Sequence, residues 1–352
     1  MTPNSSAPAR TAELSSPHAP DATRRRLIGL VVGIALLVAA CAASLAVGSA
    51  TVPLQTVWQA LTGAHDSEAA RIITTLRLPR SVLGLLAGAA LGVAGALIQA
   101  VTRNPLADPG ILGVNSGSAF AIALGVGLFG ASSPGQYLWF AFAGALVATV
   151  VVYLIGASGS GSVSPARITL AGMALGAVLS GITSAMRLAD DRRFSVIQAW
   201  QAGSFADRGW DVIVPTLPFL AAGLVIAALL GRSLDAIALS DDLARALGTN
   251  VNRARLLALA AITLLAGGAT AMVGPIVFVG LMVPHVARWI SGPRQGWIMV
   301  LCLVYAPVLV LAADVLGRIV LRPGEVAVSI VTAFIGGPVL IYLVRRTKAG
   351  KL

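Results

Sequence analysis

Along most of this chain, charge is confined to short clusters that separate long apolar stretches. Runs free of Asp, Glu, Lys and Arg cover 27–65, 81–102, 109–166, 168–186, 212–231, 256–287, 295–313 and 326–344. A bilayer's hydrocarbon core is about 30 Å thick, and a helix needs roughly 20 residues to cross it. The 109–166 run is too long for one crossing, and the turn residues Ser132–Gln136 (SSPGQ) divide it. Gly274 and Pro275 divide 256–287 in the same way, leaving a second piece that is short. The pattern predicts an all-α, polytopic membrane protein with ten transmembrane helices. They fall near 27–48, 81–102, 113–131, 136–156, 167–187, 212–231, 255–273, 277–290, 296–317 and 325–344.

Ten is even, so both termini share a side, and Lys and Arg decide which. With the termini in the cytoplasm, only nine of the 25 basic residues fall outside: Arg71, Arg77, Arg80, Arg187, Arg192, Arg193, Arg208, Arg318 and Arg322. The predicted location is a cell membrane, multi-pass, with cytoplasmic termini. The formal net charge of +11 is mostly this topology signal, and a nucleic-acid partner is not expected. Composition agrees: 57% of residues are hydrophobic and 11% charged, against about a quarter charged in soluble domains.

Residues 1–23, rich in Ser, Thr, Pro and Ala, read as a disordered cytoplasmic tail, and 24–352 as one transmembrane domain. Arg24–Arg26 followed by an apolar run and Cys41 has some likeness to a lipoprotein signal. The apolar run continues to Gly48, however, so a retained first helix is the better reading. Small residues recur at helix-packing spacing: Gly84, Gly88 and Gly92 in the second span, Gly172 and Gly176 in the fifth. The string LAGAALG at 86–92 is echoed by LAGMALG at 170–176 in a helix of opposite predicted direction, a faint hint of an inverted repeat.

Cys41 and Cys302 lie inside predicted spans without metal-ligand spacing, and His18, His65 and His285 are scattered, so neither a metal nor another cofactor is expected. Asp314 is the one acidic residue clearly within a span, with Arg318 one turn on. Ion-coupled secondary transporters generally need ionisable groups at mid-membrane, and these are scarce here. No phosphate-binding GxxxxGK[ST] loop occurs, so energy for pumping would come from another polypeptide.

Residues 77–117, RLPRSVLGLLAGAALGVAGALIQAVTRNPLADPGILGVNSG, join two arginines, an apolar span and a loop of turn-forming residues. This segment closely resembles the hallmark of the FecCD-like permeases, the membrane subunits of type II ABC importers for iron–siderophores, haem and cobalamin. VGPIVFVGLMVPHVAR (273–288) and GEVAVSIVTAFIGGPVLIYLVRR (324–346) extend the resemblance over about 27–346. It implies a transport subunit rather than an enzyme. The implied partners are two copies of an ABC ATPase, a substrate-binding protein, and a second permease chain, identical or related, all working in the lipid bilayer. Ferric siderophore is the implied cargo, with cobalamin and haem left open. An ATPase-independent secondary transporter is the distant alternative.

The resemblance also assigns roles to positions. Arg77, Arg80 and Arg318 would meet acidic residues of the binding protein; the plain alternatives are helix-end anchors and, for Arg318, a structural pair with Asp314. Asn104 and Leu106 would stand at a cytoplasmic gate, with Ser164 and Pro165 in a second gating loop over 164–167 that matches in position only. The stretch 233–255 would hold the coupling helix that fits the ATPase, carried by Asp242, Ala244, Arg245, Leu247 and Gly248. From the residues themselves, Ser240 or Asp241 can cap a short helix there, with Ala244, Leu247 and Val251 as its apolar edge and Gly248 as its stop. His285 is read as a packed structural residue.

Overall fold

In the computed structural model, residues 19–48, 52–63, 68–158, 165–322 and 324–349 are described. Every predicted span is a helix: α1 Ala19–Ala46, α4 Leu78–Thr102, α5 Val114–Phe129, α6 Pro134–Ala157, α7 Pro165–Ala189, α9 Trp210–Leu239, α13 Val279–Ser291, α14 Gln295–Val320 and α15 Val328–Ala349. The seventh span is α11 Val251–Ile262 running through a π turn (263–267) into α12 Gly268–Val273. Between them lie α2 Leu54–Thr62, α3 Glu68–Ile72, α8 Asp191–Gln201 and α10 Asp241–Ala246. Among the described residues, seven helical stretches are long and apolar enough to cross a membrane. At 16 residues α5 is shorter, and α13, at 13 residues or roughly 20 Å, covers about two-thirds of the hydrocarbon core.

α4 is the axis of the bundle. From Ala90 to Val101 every one of its residues is buried. Lipid gives helices no hydrophobic reason to associate, so contact must come from close packing over small residues. Here the packing is backbone-close: a Cβ added at Gly88 would lie 2.6 Å from the backbone N of Pro307 in α14. At Gly92 it would lie 2.5 Å from Ala306 Cβ, and at Gly95 it would collide with the Gly280 carbonyl of α13. The glycine ladder therefore seats α14 and the half-helix α13 on one helix.

Two features were not foreseen. A second π turn, 73–77, leads without interruption into α4, so the helix entering the membrane carries a widened turn that ends at Arg77. The polar stretch after α7 also folds back as α8, whose Ile197 and Trp200 are buried. Non-helical backbone at membrane depth is tolerated only where protein buries it. Accordingly the Gly203 N–H bonds the Trp200 carbonyl (3.2 Å), the Ser329 N–H bonds the Gly203 carbonyl (3.2 Å), and Ser329 Oγ donates to the Ala202 carbonyl (2.6 Å).

The tail reading needs adjustment: α1 begins at Ala19, so residues 19–23 are helical, while 1–18 lie outside the described residues. Arg25 and Arg26 donate to the carbonyls of Trp289, Ile290 and Ser291. They place two cations at the carbonyl end of α13, where the helix dipole favours them.

Candidate functional site

Two polar assemblies stand at opposite ends of the bundle. At the end where α1 and α14 finish and α4 begins, four arginines surround a cavity of 450 Å³: Arg77, Arg80, Arg208 and Arg318. Asp314 is the hub of two of them, Arg80 and Arg318. It is fully buried, and it takes a bidentate bond from Arg80 (Nη2–Oδ1 2.8 Å, Nε–Oδ2 3.2 Å) and an ion pair from Arg318 (2.7 Å). Arg80 also reaches Glu325 at 2.8 Å. Arg318 further donates to the carbonyls of Ser44 (3.0 Å) and Val47 (2.6 Å) and to Ser44 Oγ (3.1 Å), while Arg77 donates to the carbonyls of Leu45 (2.7 Å) and Ala46 (2.8 Å). The structure thus brings Arg77, Arg80 and Arg318 together, and it engages Arg318 with Asp314 as the structural alternative required.

The fourth cation was missed. Arg208 lies in the irregular segment before α9, beside Asp207, whose φ of 56° is unusual for a residue with a side chain. Arg208 makes no ion pair among the described residues, and its Nη1 is buried without a hydrogen-bond partner. Burial pushes its pKa down against the pull of Asp211, Asp207 and Tyr137, but a guanidinium stays charged over that range. Its sequence signal was weak: one arginine in a short polar break between spans.

At the other end, α4 stops at Arg103 in a left-handed conformation (φ 49°). Arg103 pairs with Asp241 and donates to the Ile237 carbonyl (2.8 Å), and Arg255 also pairs with Asp241 (3.0 Å). One carboxylate therefore ties the end of α4 to α10 and α11. In the loop that follows, Asn104 Oδ1 accepts from the Leu106 N–H (2.9 Å) and Asp108 Oδ1 from the Gly110 N–H (2.8 Å). These are local turns of the kind Asn and Asp favour, and they leave Leu106 exposed. Beneath the loop, Gln99 donates to the Leu281 carbonyl (3.2 Å) and the Ala107 carbonyl (3.3 Å) and accepts from Arg288. His285, on α13, is half-buried, and its Nε2 is buried without a hydrogen-bond partner among the described residues. Ser164 lies outside the described residues. Pro165 is the first residue of α7, so from that point the expected second gating loop is helix instead, as suits a proline whose missing N–H is not needed in a first turn.

α10 forms as a capped turn of helix. Ser240, not Asp241, is the cap: its Oγ accepts from the Leu243 N–H (3.0 Å). Gly248 (φ 81°) ends it, with Thr249 N–H to the Ala244 carbonyl (2.9 Å) and Gly248 N–H to the Arg245 carbonyl (2.9 Å). The expected apolar edge splits. Ala244 and Val251 are buried, whereas Leu247 is 64% exposed beside exposed Leu243. Arg245 pairs with Asp242 at 3.0 Å on the open side. A six-residue helix turns its larger side chains outward because only the small Ala244 fits against α9.

A helical bundle with seven stretches, among its described residues, long and apolar enough to cross a bilayer, and with a polar assembly at each end, is a polytopic membrane protein. The profile of the FecCD transport family matches residues 36–346, and the chain belongs to that family. It is 50% identical over 316 residues to the ferric enterobactin transport system permease protein FepD of Escherichia coli (strain K12), covering 90% of this chain and 94% of that protein. The iron(3+)-hydroxamate import system permease protein FhuB of Bacillus subtilis (strain 168) is 37% identical, covering 92% of this chain and 84% of that protein. A solved metal-chelate type ABC transporter in an inward-facing conformation superposes with a TM-score of 0.79 at 27% identity, covering 90% of this chain and 98% of that one. The protein is therefore the multi-pass inner-membrane permease subunit of an ABC importer. ATP hydrolysis belongs to a separate subunit.

Proposed function

We propose that this permease imports a ferric siderophore, acting with a second permease chain, two ATPase subunits and a substrate-binding protein. The observation that carries the cargo reading is the 50% identity to the ferric enterobactin permease along nearly its whole length. Both termini are cytoplasmic in this reading, so the arginine cavity faces the binding protein and α10 faces the ATPase.

The docking roles follow from what each arginine already holds. Arg77 and Arg318 brace the end of α1, and Arg80 is shared between buried Asp314 and the more exposed Glu325. An incoming carboxylate can displace Glu325 from Arg80 and reach the unpaired edge of Arg208, a bidentate acceptor for a planar cation. At the cytoplasmic end, exposed Leu243, Leu247 and Arg245 form the ATPase contact, with Asp242, Ala244 and Gly248 holding the turn. Asn104 and Leu106, linked to α10 through Arg103 and Asp241, make the gate that ATPase closure moves; Pro165, and Ser164 before it, form its counterpart on α7.

Uptake by proteoliposomes holding this chain with its permease partner, ATPase and binding protein tests the cargo. Ferric siderophore should enter in an ATP-dependent manner while haem and cobalamin do not; uptake of haem or cobalamin alone would overturn the proposal. Arg208→Ala should lower binding-protein affinity on the order of tenfold, the range for one charge-assisted contact, while leaving thermal stability unchanged.

A further inference from the structure

A second cavity, of 570 Å³, opens on the side of the bundle between α1, α4, α9 and α14, at the same end as α10. Its walls are apolar, with Leu224 from α9 and Leu303 from α14, and Trp297 lies at the head of α14. Its mouth is basic. Arg232 comes from α9 and Arg294 immediately precedes α14; both are exposed, and neither makes an ion pair among the described residues. The two are brought to one place by a glycine contact: a Cβ on Gly231 would sit 3.6 Å from Gly296 Cα. Asp235 also lines the mouth, but its Oδ1 accepts the Gln295 N–H at 2.7 Å, which fixes it to the start of α14. Two cations and one committed carboxylate leave a net charge of +1 above an apolar groove.

We propose that this groove is a binding site for one anionic phospholipid, its phosphodiester held by Arg232 and Arg294 and an acyl chain lying along Leu224 and Leu303. Charge selects the occupant. A zwitterionic headgroup brings its own cation to a basic mouth, whereas a phosphatidylglycerol supplies one uncompensated negative charge. Basic pockets between transmembrane helices on the cytoplasmic side bind anionic headgroups on this principle. An apolar groove in line with the mouth distinguishes a lipid from a free anion, because the chain buries surface that an ion leaves empty. The site is separate from the arginine cavity at the opposite end and from the α10 surface, so it stands whatever the cargo is.

Native mass spectrometry of the detergent-solubilised full chain, titrated with phosphatidylglycerol or phosphatidylcholine, tests it. One phosphatidylglycerol should be retained on the order of tenfold more strongly than phosphatidylcholine, the scale expected of two arginines near one headgroup. R232A/R294A should abolish the preference, R232K/R294K should largely keep it, and R345A, an exposed charge elsewhere, should leave it unchanged. Leu303→Trp fills the groove with its charges intact and should also lower retention. Equal retention of the two lipids, a preference that survives R232A/R294A or L303W, or displacement of the lipid by inorganic phosphate alone would overturn the proposal. So would a groove sealed by a second copy of the chain, seen as loss of dimer rather than of lipid in the variants.

Discussion

The strings LAGAALG in α4 and LAGMALG in α7 are nearly the same seven residues with opposite fates. In α4, five of the seven residues are buried, and Leu86 and Ala89 are half-buried. In α7, Leu170 and Met173 are exposed by 66% and 61%, and only Gly172 is buried. The glycines explain where the two part. Gly88 and its counterpart Gly172 both meet backbone, of Pro307 in α14 and of Ile111 in the loop before α5. Gly92 meets Ala306 Cβ at 2.5 Å and the Cys302 carbonyl at 3.0 Å, whereas its counterpart Gly176 meets the Ser116 side chain, Oγ at 3.3 Å and Cβ at 4.0 Å. Small residues permit close approach; they do not say which helix makes it. α4 is enclosed by its own chain, whereas α7 leaves Leu170 and Met173 on an exposed face.

The sharpest way to break that contrast is at the ions that pin α4 to α14. Asp314→Asn keeps the shape but leaves Arg318 buried without its counter-charge, and removing one partner of a buried pair costs about 3–5 kcal/mol. The expected outcome is a large fall in thermal midpoint in detergent, or little folded protein at all. Asp242→Asn, which breaks the exposed pair with Arg245, should shift stability by less than about 0.5 kcal/mol. Similar losses from both would show that the α4–α14 contact does not depend on Asp314.

Next come the paired glycines. Gly92→Ala pushes a methyl into Ala306 and should destabilise by about 1–3 kcal/mol, the usual cost of overpacking. Gly176→Ala asks only that a hydroxyl turn aside, so its stability should stay near wild type. Gly181→Ala, further along α7, meets nothing within 4 Å and should be neutral or stabilising by up to about 1 kcal/mol, since alanine favours helix. If instead the α7 variants lower transport while thermal midpoints hold, the open face of α7 is covered in the working assembly. Equal destabilisation by Gly92→Ala and Gly176→Ala in the isolated chain would erase the distinction between the helices.

The spans were legible because a bilayer demands long uncharged helices, a constraint written directly into composition. What escaped was set by partners distant in sequence. Asp314 could be seen one turn from Arg318, but not 2.8 Å from Arg80, 234 residues away. Ser240 was one of two possible caps, and only the fold chose it. Leu247 read as part of one apolar edge with Ala244 and Val251, because helical spacing gives a face without saying what lies opposite; in the fold Ala244 and Val251 are buried and Leu247 is exposed. Arg208 and α8 were missed for a related reason, since a short polar break between spans looks like a surface loop until the chain is seen folding back.

The finest test lies in the segment that touches both helices. The loop 103–112 leaves the end of α4, is held there through Gln99 and the Ala107 carbonyl, and presses the Ile111 carbonyl against Gly172 of α7. Within it, burial raises the pKa of Asp108 above its usual range, against the opposing effect of the Gly110 N–H. The folded chain then holds this proton at a pH where the unfolded chain, with a carboxyl near about 3.9, has released it. Between the two values the folded state binds more protons, so stability falls as pH rises through the folded-state value and is flat above it. Asp108→Asn keeps the oxygen that accepts from Gly110 and removes the titration. Thermal midpoints measured from neutral pH down towards 4 should therefore rise for the wild type relative to the variant as acid is added. Parallel curves would mean that the carboxylate is better solvated than the packing of the loop implies, and that the loop is held between α4 and α7 less tightly than the contacts at Gln99 and Gly172 require.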